Sequence, residues 1–285
     1  TCDSAFWGVP TVIVDVQPQP LNEEAWRERE EQAIALARQA AVGKRGAGAF
    51  TLRGEAGQYG AAIIPGDEGI LDGVIAFSDG EKDLCYRGFA LRIQGEDIGG
   101  VAGSAVVRGV KARRSWLGGD FIIDHLADIR GVTVPFRLRA RADGGVLKLE
   151  WSMPGQERDM RGQPRFEKIA VGPGREAAWR VYAGFGNVIE DLQAPFTLSA
   201  GGFSLSTRHV GADYRSGLSM ALASDYFPDR LRVVPADKLF TLEAHHDLTY
   251  FMAPSSHGAF SAAKEYGKVA GFKASPGLEE LKGRQ

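Results

Sequence analysis

Five histidines, His125, His209, His245, His246 and His257, are the side chains best suited to proton transfer or ligation, because only imidazole changes charge unaided near neutral pH. An extended Thr241–Tyr250 puts His245 on one face with Glu243 and Asp247, and His246 on the other with Leu242, Ala244 and Leu248. A metal on His245 and Asp247 would need ligands from elsewhere in the chain, and a solvated polar strand or turn accounts for the same letters. The densest mixture of functional types is Ser206-Thr207-Arg208-His209-Val210-Gly211-Ala212-Asp213-Tyr214. Sugar recognition uses fixed donors and acceptors beside aromatic faces, and Arg208, His209 and Asp213 supply the first two. A salt-bridged turn between two strands explains them equally. On a regular strand Arg208 and His209 point to opposite faces, and His209 shares its face with Phe203, Leu205 and Thr207, as a core residue also would. Trp151 offers an aromatic platform on a neighbouring charged hairpin, although a Trp alternating with Leu is ordinarily core.

Other patterns carry less chemistry. Gly217-Leu218-Ser219-Met220-Ala221 approaches a nucleophile elbow but lacks the final glycine and runs into a strand pattern, so Ser219 reads as an ordinary serine. Asp159, Arg161, Arg165 and Glu167 read as a long charged loop. No phosphate-binding loop, dinucleotide fingerprint, His-Glu-x-x-His, EF-hand loop or Cys/His cluster occurs, so no cofactor or metal is expected. Cys2 and Cys85 are too few for a disulfide framework.

The elements that must position these residues follow from periodicity. One strong helix is predicted from Asn22 to Val42, with Glu23 and Glu24 in its first turn, Gly43 at its end, and a thin apolar stripe of Trp26, Ala33, Ile34, Ala37 and Ala41. From Ala49 to about Ala253 the period is two. Val132 to Arg141 alternates Val, Val, Phe, Leu and Ala against Thr, Pro and Arg, and a turn at Asp143-Gly144-Gly145 leads to Leu147, Leu149 and Trp151. Pairing these two strands sets Arg and Lys beside Glu on one face. Further strands are predicted at Tyr59–Pro65, Leu71–Ser78, Leu84–Ile93, Val106–Arg113, Asp120–Leu126, Ala178–Phe185, Phe203–Val210, Leu218–Tyr226, Leu231–Pro235 and Leu239–Pro254. Without helices between them they call for antiparallel sheets. The expected fold is mainly β: a large antiparallel β-sandwich with an N-terminal helix and a short C-terminal helix near Gly258–Gly267, the latter presenting Ala259, Phe260, Ala263 and Tyr266.

Composition sets outer bounds. The chain has 285 residues, enough for a large core, and its 34 Lys and Arg against 36 Asp and Glu are scattered. That balance gives no electrostatic footprint for nucleic acid. No apolar run reaches the length of a membrane span. The start at Thr1 and the charged tail suggest a piece of something longer. The division expected is 1–48 as an N-terminal strand and linker helix, 49–267 as the sandwich, and 268–285 as a linker tail.

Three segments together, Val181–Asp191, Ser206–Tyr214 and Phe240–Asp247, resemble the β-supersandwich, galactose-mutarotase-like domain that precedes the catalytic (β/α) barrel of some large bacterial glycosidases, including relatives of endo-α-N-acetylgalactosaminidases. The similarity covers roughly Ala49 to Tyr266. It implies a carbohydrate-binding or structural accessory domain without catalytic residues of its own, a glycan ligand, a barrel in the same longer chain as partner, and an extracellular or periplasmic location. Two alternatives stay open: a sugar-modifying enzyme of mutarotase or lyase type using a His and a carboxylate in the sandwich cleft, and a ligand-free structural module. The epimerase His pair and Glu cannot be matched residue by residue, so His125, His209 and Glu150 stay unassigned. The glycan contacts expected are His209, Asp213, Arg208 and Trp151.

Overall fold

The computed structural model describes residues 23–98, 106–115, 119–155, 166–171, 178–182, 188–190, 196–199, 209–224, 230–234, 239–243 and 249–271. The chain opens with helix α1 (Glu23–Ala41) and continues through β1 (Ala49–Gly54), β2 (Gly57–Gly66), β3 (Gly69–Ser78) and β4 (Asp83–Arg87), which form a four-stranded antiparallel meander. Next come β5 (Phe89–Ile93), β6 (Glu96–Ile98), β7 (Val106–Arg114), β8 (Phe121–Ile129), β9 (Val132–Asp143) and β10 (Val146–Ser152). The remaining strands are β11 (Phe166–Val171), β12 (Ala178–Tyr182), β13 (Val188–Glu190), β14 (Phe196–Ser199), β15 (His209–Tyr214), β16 (Ser219–Ser224), β17 (Arg230–Val234), β18 (Leu239–Glu243) and β19 (Thr249–Ser255), followed by helix α2 (Ala259–Val269). A nine-stranded sheet has the order β13-β12-β15-β16-β19-β10-β9-β8-β7, and a six-stranded sheet the order β14-β17-β18-β11-β5-β6. Among the described residues every pairing is antiparallel.

One core joins all three sheets. The inner face of the nine-stranded sheet contributes Phe136, Leu149, Trp151, Tyr214 and Tyr250, and it packs on Phe77 and Tyr86 of the four-stranded sheet and Phe89 and Phe166 of the six-stranded sheet. The rings meet edge to face, Phe89 at 5.3 Å from Trp151 and Tyr86 at 6.2 Å from Tyr214, the arrangement the ring quadrupole favours. The tyrosine pair is also tied by a 2.9 Å bond from the Tyr86 hydroxyl to that of Tyr214, which spares both a buried unpaired oxygen. The antiparallel sandwich with a helix at each end is therefore as the periodicity predicts.

Helix α1 covers the outer face of the four-stranded sheet. Its stripe of Trp26, Ala33, Ile34 and Ala37 is buried with Ala62, Val74, Ala76 and Cys85, which is why β3 is buried along nearly its whole length. The approach is close enough that a Cβ on Gly60 of β2 would lie 1.8 Å from the Ala37 carbonyl oxygen. Glu30 lies on the buried side of the helix, 5% exposed, with one oxygen 2.7 Å from Arg87 Nε. A carboxylate can be held there because the guanidinium is beside it.

The outer face of the nine-stranded sheet changes character across its width. At β8, β9 and β10 it is a ladder of ions: Asp124 lies 2.5 Å from Arg137 Nε and 3.3 Å from Arg113, and Glu150 lies 2.7 Å from Lys148. The register places Glu150 opposite Arg139 and Lys148 opposite Arg141, which sets Arg and Lys beside Glu on one face as expected of that hairpin. At β15, β16 and β19 the same face is small, with Gly211, Ala221 and Ala253 in one row, and α2 lies across it. Small side chains leave the room a helix needs.

Three assignments differ from the sequence reading. Leu84–Ile93 is two strands in two sheets, broken at Gly88, whose φ of 60° turns the chain from one sheet to the other. The stretch around Asp213 is strand and not turn: β15 runs from His209 to Tyr214, and the hairpin closes afterwards, where Gly217 N–H donates to the Tyr214 carbonyl at 3.1 Å. Alternation alone could not place that turn, because Gly211 within β15 looks like punctuation but is selected by the helix above it. Glu167, which reads as part of a charged loop, lies in β11.

Candidate functional site

Asp213 is where the sequence candidates and the geometry meet. It lies on the outer face of β15, 8% exposed, opposite Ser219 of β16 and Arg180 of β12. One oxygen accepts from Ser219 Oγ at 2.7 Å and from the backbone N–H of Ala259 at 3.0 Å, and the other accepts from the Tyr182 hydroxyl at 2.9 Å. The Ala259 bond satisfies a donor at the start of α2, where a negative charge also opposes the helix dipole favourably. Asp213 thus anchors α2 to the sheet and orients Tyr182.

Around it the surface is aromatic and cationic. Arg180 Nη1 donates to the Tyr182 hydroxyl at 3.1 Å, and the Arg180 guanidinium lies 4.1 Å from the centre of the Trp179 ring. A bulge between Ala178 and Arg180 lets these two consecutive residues come together. Phe260, the second residue of α2, is 69% exposed and packs 4.8 Å from Tyr182. Burial and the Asp213 carboxylate together hold the Tyr182 hydroxyl above its ordinary pKa, against the opposing pull of Arg180. Trp179, Tyr182 and Phe260 with Arg180 and Asp213 form a platform of rings rimmed by fixed polar groups.

The other sequence candidates fall elsewhere. His209 is on the same face as Asp213 but at the opposite end of β15, half-buried with its ring 6.1 Å from Tyr266 of α2. Burial lowers its pKa, and α2 stands between it and the Asp213 end. Trp151 is 2% exposed in the core, against Phe89 and Phe166, and offers no face to a surface ligand. Its place follows from alternation, since it shares the inner face with Leu147 and Leu149. Arg208, Trp116, Asp159, Arg161, Arg165, His245, His246 and Asp247 lie outside the described residues. Ser219 is a hydrogen-bond donor to Asp213, and Glu150 is enclosed by cations. Burial would raise the Glu150 carboxyl, but Lys148, Arg141 and Arg139 outweigh it and hold its pKa below the ordinary value. Among the described residues no group of three His, Cys, Asp or Glu side chains is placed to hold a metal.

Sequence reading missed Trp179, Arg180 and Tyr182 because a bulge breaks their alternation. Phe260 was assigned to the apolar stripe of α2. Ala259 and Tyr266 are buried as that stripe expects, together with Ala262 and Glu265, and this spacing leaves Phe260 outside.

His125 is a structural residue of the core. It is 1% exposed, its ring is stacked 4.5 Å from Phe136, and its Nε2 accepts the Ile70 backbone N–H at 3.3 Å. Burial pushes its pKa down to about 4 from 6.5, with smaller opposing contributions from the Phe136 backbone and Asp124. The unfolded chain therefore takes up this proton first. The group's contribution to stability is complete above pH 6.5 and is lost as pH falls toward about 4, by up to about 3 kcal/mol. Urea unfolding of wild type and His125→Gln is expected to show a steeper loss in the wild type across that window; equal slopes would refute the assignment.

The fold is similar to part of a known glycosidase. Two solved structures of the α-N-acetylgalactosaminidase NagBb from Bifidobacterium bifidum match it, each at 10% sequence identity. The GalNAc complex has a TM-score of 0.52 over 78% of this chain and 38% of that one. The Gal-NHAc-DNJ complex has a TM-score of 0.50 over 74% and 36%. A kojibiose phosphorylase from the human microbiome is a weaker likeness, with a TM-score of 0.39 and 7% identity over 86% of this chain and 34% of that one. The chain thus spans little more than a third of the length of the NagBb chains it matches. No family model and no curated protein matches it in sequence.

Proposed function

We propose that this chain is a carbohydrate-binding or supporting β-sandwich domain of a glycoside hydrolase, galactose-mutarotase-like in type and without catalytic residues of its own. The observation that carries the proposal is the shared fold: the matching region makes up 38% of a glycosidase chain whose structure holds GalNAc. In this reading the partner is a (β/α) barrel of the same longer chain. The glycan would meet the aromatic platform beside Asp213, where a ring covers the apolar face of a sugar while Arg180 and Tyr182 address its hydroxyls. Asp213 is then the one residue of the sequence-derived set that serves the site, by holding Tyr182 and α2 in place.

The test is binding and turnover measured on the same preparation. A glycan array followed by titration is expected to find a ligand whose affinity falls at least about tenfold in Tyr182→Ala and in Phe260→Ala, the loss of one stacking face. Aryl α-N-acetylgalactosaminide should release no aglycone, and the rate of hexose mutarotation should not change. Turnover that disappears in Tyr182→Phe or Asp213→Asn would replace this reading with the sugar-modifying enzyme. An array without a ligand would remove the binding role and leave a structural one.

A further inference from the structure

A cleft on the other side of the α2-covered region carries a strong excess of positive charge among the described residues. It has a volume of about 650 Å³ and lies between the α1–β1 connection, β1, and the adjoining ends of β7, β8 and β9. Among the described residues six cations line it, Lys44, Arg45, Arg53, Arg114, Arg139 and Arg141, against the single carboxylate of Asp120. The whole chain has 34 basic and 36 acidic residues, so this concentration is local.

The one acid is already committed. Asp120 is 3% exposed and accepts from Arg139 Nε at 2.6 Å, while Arg139 and Arg141 also share Glu150 at 3.8 and 3.7 Å. Even so, the Arg141 Nε is buried without a hydrogen-bond partner. The other four cations are exposed and have no carboxylate within salt-bridge distance among the described residues. Arg53 reaches only the Gln58 amide oxygen at 3.2 Å, and Arg114 only the Gly46 carbonyl at 3.5 Å. Like charges gathered in a concave surface raise the potential there and lower the free energy of an anion. A guanidinium matches the two oxygens of a carboxylate or sulfate in geometry as well as charge.

We propose that this cleft is a separate binding site for a saccharide carrying more than one anionic group, carboxylate or sulfate. Several unpaired cations spread over one cleft match a ligand that carries several anions. The volume is that of a small-molecule site and suits a ligand of about disaccharide size. A nucleic-acid surface would instead need an extended basic track with exposed rings for stacking, and among the described residues the aromatic member of this lining, Phe50, is 6% exposed. That the anion is borne by a sugar rests on the carbohydrate reading above; the charge argument does not.

The experiment is calorimetric titration with digalacturonic acid, a sulfated disaccharide, neutral digalactose, inorganic sulfate and a single-stranded oligonucleotide, at low and physiological salt. At least one acidic disaccharide is expected to bind, several-fold more weakly at the higher salt, and at least about tenfold more tightly than digalactose or sulfate. The double substitution Arg53→Gln, Arg114→Gln should weaken it at least about tenfold, and Arg27→Gln, on the exposed side of α1, should not. Both cleft arginines are exposed, so the double variant is expected to keep the wild-type melting temperature. Absence of binding, or binding insensitive to the double variant, overturns the cleft. Equal binding of sulfate alone or tighter binding of the oligonucleotide overturns the saccharide. Neutral-glycan binding at the Tyr182 platform can survive any of these results, so failure here and failure of the carbohydrate reading are told apart.

Discussion

Gly88→Ala is expected to leave little folded protein, with a loss of unfolding free energy above about 4 kcal/mol, a magnitude reserved for a few mechanisms. Two of them act together at this position. The φ of 60° belongs to the left-handed region, where a Cβ strains the backbone. A Cβ there would also lie 2.0 Å from the Leu71 carbonyl oxygen and 3.1 Å from that of Ile70. Both obstacles are backbone atoms of β3, a strand buried along nearly its whole length, so the clash cannot be relieved by turning a side chain. Gly88 is the single residue between β4 and β5, and displacing it shifts the four-stranded and six-stranded sheets relative to each other. Urea unfolding followed by Trp fluorescence, with the yield of soluble protein, measures the effect. A midpoint within about 1 kcal/mol of wild type would mean the corner is more accommodating than its geometry allows.

Trp151→Ala is expected to cost about 3 to 5 kcal/mol of stability, the usual range for a large ring deleted from a packed interior. The ring is 2% exposed and contacts Phe89 of one sheet and Phe166 of another strand of the same sheet, so the cavity opens where the layers meet. Glycan affinity of the molecules that remain folded should be within about twofold of wild type, because no part of Trp151 reaches the surface near Tyr182. The contrast with Tyr182→Ala is the informative one: that substitution should weaken binding, with a smaller loss of stability that comes from the lost bond to Asp213. If Trp151→Ala abolished binding while the melting temperature held, the ring would be a ligand platform after all.

The mainly β architecture, helix α1 and the charge ladder were legible in the order of the residues alone. Each depends on which residues alternate, and alternation is written in the order of the letters. Val134, Phe136 and Leu138 had to face inward together, and pairing β9 with β10 then had to set Glu150 among Arg139, Arg141 and Lys148. What only the tertiary structure decided are meetings between distant segments. Trp151 had the composition of a sugar platform, but whether its face of the sheet looked to solvent depended on the sheets that came to cover it. His209 and Asp213 share one face of one strand, yet α2, some 50 residues later, caps its first turn on Asp213 and lays Tyr266 beside His209. The platform of Trp179, Tyr182 and Phe260 needs both the bulge in β12 and the docking of α2. The basic cleft brings together Lys44, Arg53, Arg114 and Arg141 from segments, most of them locally basic, that lie apart in the chain, and only folding makes them neighbours. Local periodicity reports which face a residue takes, whereas long-range packing chooses what that face meets, and a binding site is made of the second.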